Sequence, residues 1–368
     1  MMNETWWISD EQLDEDQKAV AGLGPEGSHL IFGPPGSGKT NLLLLRAKYM
    51  FLAGHTDILV VVFTKTLQQF IAHGSSAYQL PSNVVTTLRK WQMDFLHEHG
   101  VDLPATAKFD DQRKVMAEEI LNLISRKKIS NVYNALFLDE AQDYLPQEIE
   151  IFDKLGKEIT AAVDIHQKIY STQDCMNKIR GIVDKEHPLR FHYRVGHSIC
   201  KLADRIKKNI TDYVPLLPTC NYNEAARPSS VEAVPLCASL EEQVDKILNK
   251  LRVQLKAYPD ELLAVLCPRN DDLDRIWEII VDSDLGSLAM KQGGGDHSAY
   301  DEGKMIHVGN VHSAKGVEFR AVHLACCESL KDFRRYHRNI TYTAITRAKT
   351  SLSLYRSGEI WGIFDKRL

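Results

Sequence analysis

The run Gly33-Pro34-Pro35-Gly36-Ser37-Gly38-Lys39-Thr40 constrains this chain more than any other stretch. It fits the phosphate-cradling pattern G-x-x-x-x-G-K-[ST], and its flanks have the required form. Leu30, Ile31 and Phe32 before it read as a buried strand, and Leu42 to Leu45 after it read as the start of a helix. In such a unit the glycines let backbone N–H groups close on phosphate oxygens, and the helix N-terminus favours their negative charge. Lys39 is expected to reach the β- and γ-phosphates, and the Thr40 hydroxyl to ligate Mg²⁺. A nucleoside triphosphate is the expected ligand. Apolar runs at Ile58–Phe63, Ala135–Leu138 and Ala161–Val163 alternate with helical patterns. That alternation predicts an α/β fold built on a parallel sheet.

The 368 residues suffice for two or three domains. Between Trp91 and Asn134 the pattern is mainly helical, with Val115, Ile120, Leu123 and Ile124 spaced as one face. A second unit is expected from about Pro188. Pro215–Pro235 reads as a loop, and Gly286–Gly303 as a flexible connection holding Gly293-Gly294-Gly295. Ser239 and Glu242 form a capping box that opens an amphipathic helix. Strands return at Met305–Val308 and Ala321–Ala325, and the chain closes with a short helix holding Arg347 and a strand Ser351–Tyr355. A net charge of −4 argues against a chain coated with basic residues, though not against a local groove. The seven cysteines lack C-x-x-C spacing. They read as buried, reduced thiols, Cys326 and Cys327 within a strand, and no zinc site is expected. No apolar run is long enough to span a membrane, and the N-terminus lacks the pattern of a signal peptide, so a cytoplasmic protein is expected.

Asp139 and Glu140 follow an apolar strand. At a strand end facing the phosphate loop, one carboxylate can hold Mg²⁺ and its neighbour can accept a proton from attacking water. Asp139-Glu140-Ala141-Gln142-Asp143 resembles the DExQD box of the UvrD/Rep-type superfamily 1 DNA helicases, and further segments resemble that family in order along the chain. Leu13-Asp14-Glu15-Asp16-Gln17 resembles its Q motif, which implies that Gln17 reads the adenine edge. Phe63-Thr64-Lys65 and Thr86-Thr87-Leu88 are similar to segments that touch single-stranded DNA, which implies contacts from Phe63, Thr64 and Thr87. Asp164 to Tyr170 resembles motif III, implying that Gln167 senses the γ-phosphate and Tyr170 lies against bases. His192-Tyr193-Arg194 resembles a segment whose tyrosine stacks on adenine and whose arginine meets the γ-phosphate. Val311 to Phe319 resembles motif V, which places Gly316 and Glu318 at the nucleotide and makes His312 a candidate contact to DNA. Tyr342 to Lys349 resembles motif VI, which implies that Arg347 is an arginine finger.

The resemblance implies two RecA-like domains, 1–187 and 188–368, with a small helical insert at about 91–134 in the first and ATP·Mg²⁺ in the cleft between them. It implies a translocase or helicase moving 3′→5′ on single-stranded DNA, with DNA preferred to RNA. A finger brought from another domain ties hydrolysis to closure of that cleft. Some residues depart from the family. Ser171-Thr172-Gln173 stand where motif III usually carries a tryptophan and an arginine, Asn41 replaces an arginine beside the adenine, and His192 replaces an asparagine. The two large accessory insertions of full-size relatives are also missing. These departures leave open a second expectation, an ATP-controlled switch that binds DNA or a protein partner in a repair or defence complex. Trp91 is a further candidate for base stacking, against the plainer reading of a core tryptophan.

Overall fold

The computed structural model describes residues 13–69, 71, 80–101, 109–170, 173–293, 296–297, 301, 303–330, 335–362 and 364. Ser171, Thr172, Gly294 and Gly295, singled out above, lie outside them. Six strands form a first sheet: β1 (His29–Phe32), β2 (Ile58–Val62), β3 (Val85–Thr87), β4 (Tyr133–Leu138), β5 (Gly156–Val163) and β6 (Lys185–Pro188). Their order is β3-β2-β4-β5-β1-β6, and every pairing is parallel. One strand, β5, separates the phosphate-loop strand β1 from the acid-bearing strand β4. This is the RecA-like order. β2 is buried along its whole length, as a strand covered on both faces must be, and this is why Ile58 to Val62 is an unbroken apolar run.

The covering helices are α1 (Glu15–Ala21), α2 (Lys39–Leu52), α3 (Leu88–Glu98), α4 (Phe109–Lys127), α5 (Pro146–Leu155) and α6 (Met176–Ile182). α3 and α4 fill the predicted helical stretch. Their inward face carries Trp91, Phe95, Met116, Ala117, Ile120, Leu123 and Ile124. Val115 is 39% exposed, so the expected face is one residue off and Met116 takes its place. Trp91 is buried, stacks near Phe152 and donates to Tyr133 Oη at 3.0 Å, as a core residue does.

A second sheet holds β7 (Ser230–Ala233), β8 (Leu263–Cys267), β9 (Ala289–Gly293), β10 (Asp296–His297), β11 (Ile306–Asn310), β12 (Phe319–Leu324) and β13 (Ala348–Leu354). The order is β10-β9-β11-β8-β12-β13-β7, parallel except for the short β10. Helices α7 (His197–Ile206), α8 (Leu240–Ala257), α9 (Asn270–Val281) and α10 (Arg335–Ile345) pack on it. Ser239 caps α8 as expected, its hydroxyl accepting from Glu242 N.

Several local expectations need correction. β7 lies inside the stretch read as a loop, held at the sheet edge by parallel pairing to β13. β9 and β10 occupy part of the stretch read as a flexible connection. Cys326 and Cys327 are buried in a turn after β12 rather than in a strand. Arg347 stands just beyond α10, and the final strand begins at Ala348. Each of these depends on a partner strand or turn supplied by distant sequence, which local periodicity does not report. No helix among the described residues is long and apolar enough to cross a membrane.

A candidate nucleotide cleft and nucleic-acid interface

The phosphate loop links β1 to α2, and Gly38 caps the helix with φ 85°. A side chain there would be strained by that dihedral and would also meet Gln17 Nε2 at 2.9 Å. Gln17 is buried, bonded to Asp14 in a capping box at the start of α1, and donates to Ser37 O at 3.0 Å. Lys39 Nζ donates to the loop carbonyls of Gly33 and Pro34 at 2.9 and 2.8 Å. Burial holds its pKa below the usual lysine value, although Asp164, Glu140 and Asp139 oppose that shift.

The acid pair stands at the end of β4. Thr40 Oγ1 donates to Asp139 Oδ2 at 3.0 Å, so the hydroxyl and carboxylate expected to share a divalent cation are already together. Burial, with Glu140 beside it, pushes the Asp139 carboxyl up to about 7. A cation there would reverse that shift, so the donor set fits Mg²⁺. Burial disfavours the charge on Glu140 too, but Lys315, Arg347 and Lys39 outweigh it and hold its pKa low. Glu140 has a left-handed backbone, φ 50°, a conformation that costs a non-glycine residue about 1–3 kcal/mol. Gln142 Nε2 donates to Glu140 Oε2 at 2.6 Å while its Oε1 accepts from Asp164 N, linking the acid pair to the end of β5.

The second sheet supplies cations to the same place. Pro35, Gly36, Gly38, Lys39, Thr40, Asn41, Asp139, Glu140 and Gln167 line a cleft of about 450 Å³, and Arg194, Gly316, Glu318 and Arg347 close it. Arg194 Nη1 donates to Glu318 Oε2 at 2.8 Å. Tyr193 N donates to Gly36 O at 3.2 Å, and the Tyr193 hydroxyl donates to Asp14. Arg347 is buried, its Nε donating to Thr343 O at 3.2 Å. Gln167 Nε2 donates to Thr346 Oγ1 at 3.1 Å, joining the end of β5 to the turn that carries Arg347.

Two contacts had no expectation behind them. Lys315 is fully buried and forms ion pairs with Glu140 Oε2, at 3.2 Å, and with Asp143. Arg113, in α4, donates to Asp143 O and to both oxygens of buried Glu148, and so fixes the acid segment from behind. Lys315 and Asp143 both stand inside segments quoted for the resemblance. Nothing near Arg113 in sequence marks it.

The candidate DNA contacts divide into two groups. Phe63, Tyr170 and His312 come from the end of β2, the turn after β5 and the turn after β11. They gather with ring centroids 4.6 Å apart for Phe63–Tyr170 and 5.2 Å for Tyr170–His312. All three are partly exposed, and the Arg113 guanidinium lies over the Phe63 ring. Thr64 and Thr87 are buried: Thr64 Oγ1 donates to Lys315 O at 3.0 Å, and Thr87 caps α3.

Residues 305–355 match the family of the UvrD-like helicase C-terminal domain. This segment is similar to that family. It runs from β11 to β13 and carries Lys315, Gly316, Glu318 and Arg347, the second sheet's contributions to the cleft apart from Arg194. The chain is also similar to the C-terminal domain of a possible DNA helicase from Lactobacillus plantarum WCFS1, with 18% identity over 47% of this chain and 91% of that one, at a TM-score of 0.33. To the PRRSV helicase it shows 16% identity over 92% of its own length and 54% of that chain, at a TM-score of 0.43. No curated protein matches it in sequence.

Proposed function

We propose that the chain is an ATP-dependent translocase or helicase of the UvrD/Rep type, acting 3′→5′ on single-stranded DNA. Two motor domains, 1–187 and 188–368, would meet at the cleft. One observation carries this reading: acids and a phosphate loop from the first sheet face guanidinium groups from the second across one cleft. Thr40 and Asp139 would hold Mg²⁺, which when bound neutralises phosphate charge. Gly33 to Lys39 would cradle the phosphates, with Asn41 beside them. Gln17 would meet the adenine edge and Tyr193 its face, and Glu318 the ribose. Glu140 would take the proton of the attacking water. Arg194 and Arg347 would stabilise charge on the transferring phosphoryl group, with Gln167 reporting its presence to the second domain. Phe63, Tyr170 and His312 offer ring faces for sequence-tolerant stacking of bases.

The test is steady-state ATP hydrolysis with and without single-stranded DNA, in the parent and in Lys39→Ala. We expect stimulation by the strand and its abolition in the variant. Turnover indifferent to DNA would remove the reading. The pairing of Glu140 with Lys315 favours a second reading, in which ATP controls closure on DNA or on a protein partner without stepping. Displacement of streptavidin from one end of a labelled strand separates a motor from such a switch.

A further inference from the structure

Away from the cleft, three chemistry-bearing side chains meet that no motif brings together. His192, Cys200 and Cys220 offer ligand atoms that all lie within 4.8 Å of one another. Cys200 Sγ is 3.9 Å from His192 Nε2. Tetrahedral zinc, with Zn–S of about 2.3 Å and Zn–N of about 2.0–2.1 Å, needs edges of about 3.8 Å between sulfurs and about 3.6 Å from sulfur to nitrogen. The cluster therefore needs to contract by only a few tenths of an ångström along the edge whose length is known. We propose that His192, Cys200 and Cys220 form a structural site for a thiophilic divalent cation, Zn²⁺.

The surroundings suit a metal. His192 is fully buried, its Nδ1 has no hydrogen-bond partner, and Nε2 faces Leu216 O at 2.9 Å. On binding, the ring turns Nε2 from Leu216 O towards the sulfurs, Nε2 gives its lone pair to the cation and the ring proton moves to Nδ1. Leu216 O keeps the Thr219 amide and hydroxyl as donors. Both thiols donate to Val195 O, at 3.3 and 3.2 Å. Those two protons leave to water as two metal–sulfur bonds form, so two thiolates balance a double positive charge without a redox step. Cys220 is half-buried while Cys200 is buried, so the cation enters from the Cys220 side, where water can complete the coordination.

The backbone gives the site a purpose. His192 and Cys220 form a bridge between two segments, and Cys200 lies in the first turn of α7. A metal here ties down both ends of the Tyr193–Arg194–Val195 segment that reaches the phosphate loop. This consequence for nucleotide binding rests on the function proposed above, whereas the metal site itself does not.

The experiment is a Co²⁺ titration of the reduced, chelator-stripped full chain. We expect one equivalent to give thiolate-to-cobalt charge-transfer and tetrahedral d–d bands, bleached by Zn²⁺, with a higher melting temperature on metal binding. Cys220→Ser and Cys200→Ser should lose the bands, and Cys326→Ser should keep them. Three outcomes would overturn the site: no thiolate band in the parent, bands that survive Cys220→Ser, or a Cys200–Cys220 disulfide in place of bound metal when the chain is isolated under reducing conditions. None of these readouts depends on ATP turnover, so failure of the motor reading and failure of the metal site are distinguishable.

Discussion

The two sheets build opposite halves of the cleft from opposite ends of their strands. The first offers carboxyl ends: the phosphate loop follows β1, Asp139 and Glu140 follow β4, and Gln167 follows β5. Open α/β sheets bind ligands at that edge, because loops and helix N-termini gather there. The second offers amino ends: Glu318 precedes β12 and Arg347 precedes β13. By itself that edge would make an ordinary surface. Its arginines and Lys315 acquire a role only against the acids of the first sheet. Under the function proposed above, one half would bind nucleotide alone while the chemistry would require both, so hydrolysis and closure would be one event.

The largest test of this contrast is Arg347→Ala, which should bind ATP yet turn it over about 10³-fold or more slowly. Equal turnover in a stopped assay would place the finger elsewhere. Glu140→Gln should cost about 10²–10⁴ in rate with nucleotide affinity retained, because it would remove the proposed base and leave the cradle. If affinity falls with rate, the first sheet does not bind independently. Lys315→Met leaves Glu140 and Asp143 buried without their cation. Breaking such a pair costs about 3–5 kcal/mol, read by urea unfolding. A variant as stable as the parent would mean that the two halves are not joined through this lysine. Tyr170→Ala should weaken single-strand binding by about 1–3 kcal/mol, or roughly 5- to 150-fold, in fluorescence anisotropy. Unaltered affinity would remove the ring cluster from the track.

The smallest effect distinguishes the sheets by pH. Burial holds His323 of β12 down to about 3, its ring nitrogens facing Tyr355 Oη and Gln254 Oε1 at 2.9 and 2.7 Å. Between pH 6.5 and about 3 the unfolded chain binds a proton that the folded chain refuses, so stability falls as pH falls through that window. The slope from this group approaches about 1.4 kcal/mol per pH unit. Urea unfolding at pH 7 and pH 5 should therefore show a shallower acid loss in His323→Gln than in the parent; equal losses would locate the sensitivity in the first sheet, where burial holds His29 at about 4.

Much of the first sheet was legible because its signals are local. A phosphate loop needs consecutive residues with fixed dihedrals, and a doubly covered strand needs an unbroken apolar run, so Gly33–Thr40 and Ile58–Val62 could be read directly. The second sheet was less legible. β7 and β9 owe their conformation to strands far away in sequence, and their exposed or glycine-containing residues resemble loops until paired. In α4, the substitution of Met116 for Val115 on the inward face depended on which way the helix rotated against α5. Thr64 and Thr87 were read as contacts for DNA. Their hydroxyls serve a backbone carbonyl of the other half and a helix cap, partners no local pattern could name.

The sequence by itself determined the chemical inventory: a glycine turn with Lys39 and Thr40, the acids after β4, and arginines spaced through the second half. These follow from short-range rules, since backbone dihedrals and strand ends are set by neighbouring residues. Only the tertiary structure decided that Lys315 would be buried between Glu140 and Asp143, that Gln167 would reach Thr346, and that His192, Cys200 and Cys220 would meet. Such meetings depend on how two sheets pack and cross over, and charges desolvated together interact with a strength that spacing along the chain does not encode.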